Sequence, residues 1–453
     1  MLAVLALLAG GGIFAWVMYA SSAYHKAIAF ADEHDPGWHI DQIEAKRATY
    51  PDAQNGAVQI VLIKSLLPNG WQSAQKDELL RDIRPEQLMN EQQIAAVRSM
   101  LAAVGPALAE SRKMVDYPHG RHTITYAPDF ISTVLVCQSN RDALNVLNYD
   151  AMDLAQRGDA DGAVGACQAM LHCGTSIGDE PFMISMLVRI ACQAVAVNAV
   201  ERVLAQGTPS EERLAAIQDR IEAAEREPLL LYGVRGERAG EYHLLENIRN
   251  GTIGAGVVGS APGATPAVGL LTVVPGFMSH QITGCLNYTN EMVELAKTPP
   301  QTWAGPMQSM DAKARDLPVL ARLLAPAMTK VGQACIRNHA QLRCAFAMVA
   351  AERFRNKHGR WPESLDELVK AGSLKSIPLD PYVGNPLRLK RVDDGLVIYS
   401  VGPDQTDDGG KFDRSKPLAA GTDWGFRLWD PAKRRQPAPP PKPPEEDQSG
   451  RGP

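Results

Sequence analysis

Aromatic side chains are scarce in this chain, 6% of 453 residues, so rows of stacking platforms for bases or sugars are not expected. Basic charge is not in excess either. Lys and Arg total 46 against 51 Asp and Glu, a formal net charge of -5, which excludes a nucleic-acid footprint. No HExxH, Walker loop or zinc-finger spacing occurs, so metalloprotease, nucleotide and zinc-site readings find no local support. The seven cysteines are odd in number and without framework spacing. Cys192, Cys335 and Cys344 lie in apolar helical patterns and read as small buried hydrophobes, as does Cys167 beside His172-Cys173. These absences weigh against an enzyme. What is present is a 45% hydrophobic chain, enough to bury a core, of a length that suits about two or three folding units.

The amino terminus carries the first positive signal. Met1 to Tyr24 holds no charged side chain, and its apolar run extends to Tyr19. As a helix it reaches across ~30 Å of hydrocarbon at about 1.5 Å per residue. Trp16, Tyr19 and Tyr24 fall at one end, where aromatic rings favour the lipid–water boundary. Ser21-Ser22-Ala23 offers small residues for a signal-peptidase cut, but no basic stretch precedes the apolar run. Residues 1–24 are therefore expected to be an uncleaved signal anchor. A single pass would leave the bulk of the chain on the exported, periplasmic side.

Residues 25–330 read as a helical body. The clearest pattern is a hairpin: Val146, Leu147, Ala151, Leu154 and Ala155 line one face, Arg157-Gly158-Asp159 stops it, and Ala163, Val164, Cys167, Met170 and Leu171 line the next. Ile184 to Leu204 continues as a longer apolar helix. Such hairpins are similar to tetratricopeptide units and suggest an irregular solenoid-like stack, although no clean repeat period exists. A Gly/Pro-rich stretch at 250–277 interrupts the body. Its Gly254-Ala255-Gly256-Val257-Val258-Gly259 formally matches GxGxxG, but Pro262 and Pro266 follow and no acid appears before Glu291. It is expected to be a flexible loop with no nucleotide, in which Val273 and Val274 are candidates for lipid contact.

Residues 331–413 change character. An apolar stripe through Leu342, Phe346, Val349, Ala350 and Phe354 predicts a helix from Cys335 to Lys357, with Gly359 as its stop. Leu387–Lys390 and Leu396–Ser400 predict strands joined through Asp393-Asp394-Gly395, a hairpin signal. From 414 to 453 the chain is expected to be extended to disordered, with a Pro-rich tail. The fold class expected is mainly α: a transmembrane helix, a helical-hairpin body and a small C-terminal α+β unit.

The series GRWPESLDELV, IPLDPYVGNPL and VIYSVGPDQTDDGG resembles the C-terminal region of type II secretion pseudopilins over about Cys335 to Phe412. Two departures matter: the apolar amino terminus has no processing-site glutamate, and some 300 residues separate it from the matching region. Over most of its length the chain is similar to uncharacterised envelope proteins of planctomycete-type bacteria, through Gly178-Asp179-Glu180-Pro181-Phe182, Leu187–Cys192 and Arg235-Gly236-Glu237-Arg238. That resemblance implies an envelope location and brings no activity with it. The pseudopilin resemblance implies a calcium loop, onto which Asp404, Asp407 and Asp408 fall; three acids within five positions supply the hard oxygens such an ion takes. The plain alternative is an acidic turn whose aspartates bond nearby amides. The function expected is a membrane-anchored helical scaffold that binds a protein partner. The alternatives are an accessory component of a type II secretion-like apparatus and an exported hydrolase.

Overall fold

Leu2–His34 forms one helix, α1, in this computed structural model, which describes residues 1–71, 78–81, 83–259, 271–324, 326–417 and 419–438. Its two halves live in different surroundings. Ala20, Tyr24, Ala27 and Ala31, at spacings of three and four, make a buried stripe. Val4, Leu7, Leu8, Ile13, Phe14, Trp16, Met18 and Tyr19 are exposed. The helix runs ten residues beyond Tyr24, so the expected anchor is the first part of a longer element whose second part packs on the body.

The fold is mainly helical with one small antiparallel sheet. Gly56–Leu66 is α2, Glu91–Ala103 α3 and Gly105–Arg112 α4. Ser139–Arg157 (α5) and Ala160–Thr175 (α6) pack as antiparallel neighbours. Gly158 ends α5 at a φ of 87°, a left-handed conformation that glycine adopts freely, and the Asp159 side chain then accepts from Gly162 N to cap α6. Met183–Gln206 (α7), Glu211–Glu225 (α8), Leu229–Arg249 (α9), Phe277–Ala296 (α10), Ala304–Arg315 (α11), Pro326–His358 (α12) and Leu365–Lys370 (α13) follow.

Three strands, Arg388–Val392 (β1), Gly395–Ser400 (β2) and Trp424–Trp429 (β3), pair in the order β1-β2-β3. β1 and β2 form the expected hairpin around Asp393-Asp394. β3 corrects the expectation that the chain is extended to disordered from 414 onward. Its alternation sends Phe426 and Leu428 inward beside Leu396 and Ile398, and this apolar face, not the neighbouring prolines, decides its conformation. The tail from 439 lies outside the described residues, as does 260–270 of the expected loop; Gly256–Gly259 is a single helical turn.

One core runs from Ile60 and Ile63 of α2 through α5 to α8, into α12 and the inner face of the sheet. A second cluster joins α1 to α9 and α10. Ser176–Phe182, the link between α6 and α7, is a turn gripped closely from two sides. Gly120 and Gly56 press on Ser176, while Gly236 of α9 lies against the Pro181 carbonyl so closely that a β-carbon would stand 1.9 Å from its oxygen. Gly240, one turn on, accommodates the Phe130 ring in the same way. The obstruction at Gly236 is backbone, which cannot swing aside, so Gly236→Ala is expected to cost about 3 kcal/mol by overpacking. A thermal melt beside Gly251→Ala, where a β-carbon meets only the strain of its own left-handed φ, checks this.

Candidate functional site: a groove along the long apolar helix

α7 is long and apolar enough to cross a bilayer, yet 61% of its apolar window is buried in protein, and it serves as a core helix. Met186, Cys192, Ala196, Val197, Val200 and Leu204 face inward. The opposite stripe, with Leu187, Ile190, Ala191 and Ala194 half-covered and Asn198 exposed, floors a groove of about 470 Å³. Ala334, Arg337, Asn338 and Gln341 of α12 form one wall, and Phe412, Pro417, Trp424 and Phe426 the other. A second hollow of about 340 Å³ continues along α7 past Ala199 and Arg202, meeting the first at Asn198 and Arg414.

Buried polar groups fix this geometry. Glu201 of α7 is fully buried and accepts two bonds from Arg414, at 2.6 and 2.7 Å, and one from Arg427 N at 2.8 Å. It thereby ties the 412–417 wall and β3 to the groove floor. Beneath the wall, Asn338 donates to Gln193 at 2.8 Å, leaving Asn338 Oδ1 and Gln193 Nε2 buried without partners. Buried amide groups left unpaired are costly, and Asn338 lines the groove while Gln193 lies beneath it. The groove thus combines an apolar floor with an aromatic wall.

The segment Gly178–Phe182 builds a separate buried polar network. Arg47 bridges Glu44 and Asp179, each at 3.0 Å, while Arg189 donates to Gly178 O at 2.6 Å and pairs with Glu227. Glu180, fully buried, accepts from Ser185 Oγ at 2.5 Å. Contrary to the expectation of a chain without GxSxG, Gly174-Thr175-Ser176-Ile177-Gly178 has this spacing of a hydrolase nucleophile elbow. The structure gives it no such context. Ser176 ends a helix rather than following a strand, is fully buried, donates to Cys173 O and accepts from Asn140 Nδ2; His122 reaches only Asn140, at 3.2 Å. This serine is a structural link.

Asp404, Asp407 and Asp408 lie on the loop after β2. Asp404 accepts from Thr406 N and Gly421 N. Asp407 holds Arg388 at 2.7 Å, Tyr399 Oη at 3.2 Å and Gly409 N at 2.9 Å. The buried Asp423, which sequence reasoning did not single out, accepts from Asp408 N and Gly410 N. Amides, a phenol and a guanidinium thus take up the carboxylate oxygens of Asp404 and Asp407, while Asp408 Oδ2 is buried without a hydrogen-bond partner. Among the described residues no three His, Cys, Asp or Glu side chains gather as metal ligands. The motif's own buried acid is Asp380, which accepts from Tyr382 N, Ser400 Oγ and Val401 N and so locks IPLDPY to the end of β2. Cys167, Cys173 and the other five cysteines are buried and free.

Comparison of the chain with protein-family models, curated proteins and solved structures finds no match.

Two buried glutamates at the head of α7 and on α9 give the fold a pH dependence. Burial pushes Glu180 up to about 7 and Glu241 up to about 8 from an ordinary 4.5. At Glu241 the adjacent Glu237 adds to the rise, and the Cys285 thiol, donating at 2.9 Å, opposes it. A carboxyl raised in the folded state favours folding while protonated, and loses that contribution as pH rises through its folded value. Relative to Glu241→Gln, the natural chain should therefore lose stability between pH 4.5 and about 8. Denaturant melts of both chains across that window check the sign.

Proposed function

We propose that the chain is a membrane-anchored envelope protein whose helical, solenoid-like body holds an apolar segment of a protein partner in the α7 groove. The anchor is the exposed apolar half of α1, and the body stands on the exported, periplasmic side, as the signal-anchor character of residues 1–24 and the resemblance to envelope proteins both favour. The groove is the observation that carries the reading. It combines half-covered Leu187, Ile190 and Ala191 with the aromatic Phe412, Trp424 and Phe426, over a floor set by Glu201. Clefts of this size with an apolar lining and few polar groups are the usual place for recognition. Aliphatic side chains spaced along a helix face suit an apolar segment laid lengthwise. An accessory role in a type II secretion-like apparatus rests on the 335–412 resemblance, whose Asp380 is occupied in holding the sheet.

Panning a displayed peptide library against the purified chain tests this. Recovered peptides should be rich in apolar residues, and Ala194→Trp, which fills the groove, should weaken their binding by about tenfold or more, the equivalent of ~1.4 kcal/mol. Equal binding to the natural chain and to Ala194→Trp would place recognition elsewhere.

A further inference from the structure

Where α1 leaves the body, the segment just before α10 lies against it. Gly276, at a φ of 81°, brings its backbone so near Trp16 that a β-carbon would stand 3.0 Å from the indole nitrogen and 3.4 Å from Ala20 Cβ. One turn into α10, the His280 ring meets Trp16 edge-on at 5.2 Å. In the residues before Gly276, Leu271 is 42% exposed, Val273 81% and Val274 45%. Single exposed apolar side chains are ordinary on protein surfaces. These three lie two to five residues before Gly276, which meets α1 at the level where its buried stripe ends at Ala20 and its exposed apolar half begins. The indole and phenol of Trp16 and Tyr19, rings that favour the lipid–water boundary, mark the same level.

We propose that the 271–274 segment enters the headgroup–acyl boundary of the bilayer that α1 crosses, giving the body a second lipid contact. The proposal rests on the reading of α1 as an anchor. One helix alone leaves the unit of α1 and body free to tilt in the bilayer and to turn about the helix axis. A second insertion removes that freedom and fixes the direction in which the α7 groove faces. The partner surface is the bilayer itself, because the three exposed apolar side chains closely precede Gly276, which meets α1 where its exposed apolar half, read as the anchor, begins. Short apolar insertions of this kind reach about 5–10 Å into the boundary.

The seven native cysteines are buried, so a single introduced surface cysteine takes a label selectively. Leu8→Cys, Val273→Cys and Glu212→Cys, each carrying an environment-sensitive fluorophore, are placed in the full chain in phosphatidylcholine–phosphatidylglycerol vesicles. Glu212 is an exposed charged residue of α8, which packs on α6 and α12, and serves as the water-facing reference. The proposal expects a blue shift and loss of iodide quenching at 8 and 273 but not at 212. It also expects quenching at 273 by lipids bearing a nitroxide near the headgroup. Lipid burial at 8 with position 273 open to iodide would overturn the second contact and leave the anchor standing. A blue shift at 273 without nitroxide quenching would assign the patch to protein and overturn it too. Position 8 open to iodide would remove the anchor reading and the proposal together.

Discussion

Asp35 is the residue on which the arrangement of the molecule turns. It ends α1, is 2% exposed, and is met by two arginines of α9: Arg235, whose Nε lies 2.9 Å away, and Arg238. Arg238 is buried as well, donates to Asn290 of α10 at 3.1 Å, and lies over the Trp38 ring at 5.2 Å. Asn290 in turn donates to Ala27 O of α1 at 3.2 Å. A buried charge stripped of its partner costs about 3–5 kcal/mol, so α1, α9 and α10 are locked in register rather than merely touching. The apolar half of α1 therefore projects from the body as a rigid continuation of it.

That rigidity passes to the groove through the glycines of α9. Gly233 lies against Met183 and Met186 at the head of α7, and Gly236 against Pro181 just before it. Glu237 accepts from Met183 N at 2.9 Å, so the same helix that holds α1 also holds the first residue of the groove helix. Glu201, near the far end of α7, carries the constraint on to β3 and the 412–417 wall. A route of backbone contacts and buried polar bonds links the helix proposed to enter lipid with the surface proposed to bind a partner.

Much of the helical architecture was legible in the sequence because helix faces announce themselves locally. The α5–α6 hairpin follows from its two apolar stripes and from Gly158 between them, and the β1–β2 hairpin from Asp393-Asp394-Gly395. What was illegible depends on partners far along the chain. Trp424–Trp429 becomes a strand only because β2 offers an edge, and its alternating Phe426 and Leu428 were a signal hidden beside a proline-rich tail. The groove brings Leu187, Arg337 and Trp424 together from three distant segments, which no local spacing encodes. In the aspartate loop the acids are neighbours in sequence, but the Arg388 that meets Asp407 comes across from β1. Ser176 shows the reverse case: a motif's spacing was present in sequence while the burial that disables it was not.

The central claim is that α1 is one helix with two solvents, lipid for its first half and protein for its second. Hydrogen exchange of the full chain in lipid nanodiscs tests it most directly. The account predicts slow exchange from Val4 to Tyr19 by virtue of lipid, and equally slow exchange from Ala20 to His34 by virtue of the body. Replacing Asp35 with Ala should speed the second stretch and leave the first unchanged. Fast exchange from Val4 to Tyr19 in nanodiscs, with Ala20 to His34 still protected, would contradict it.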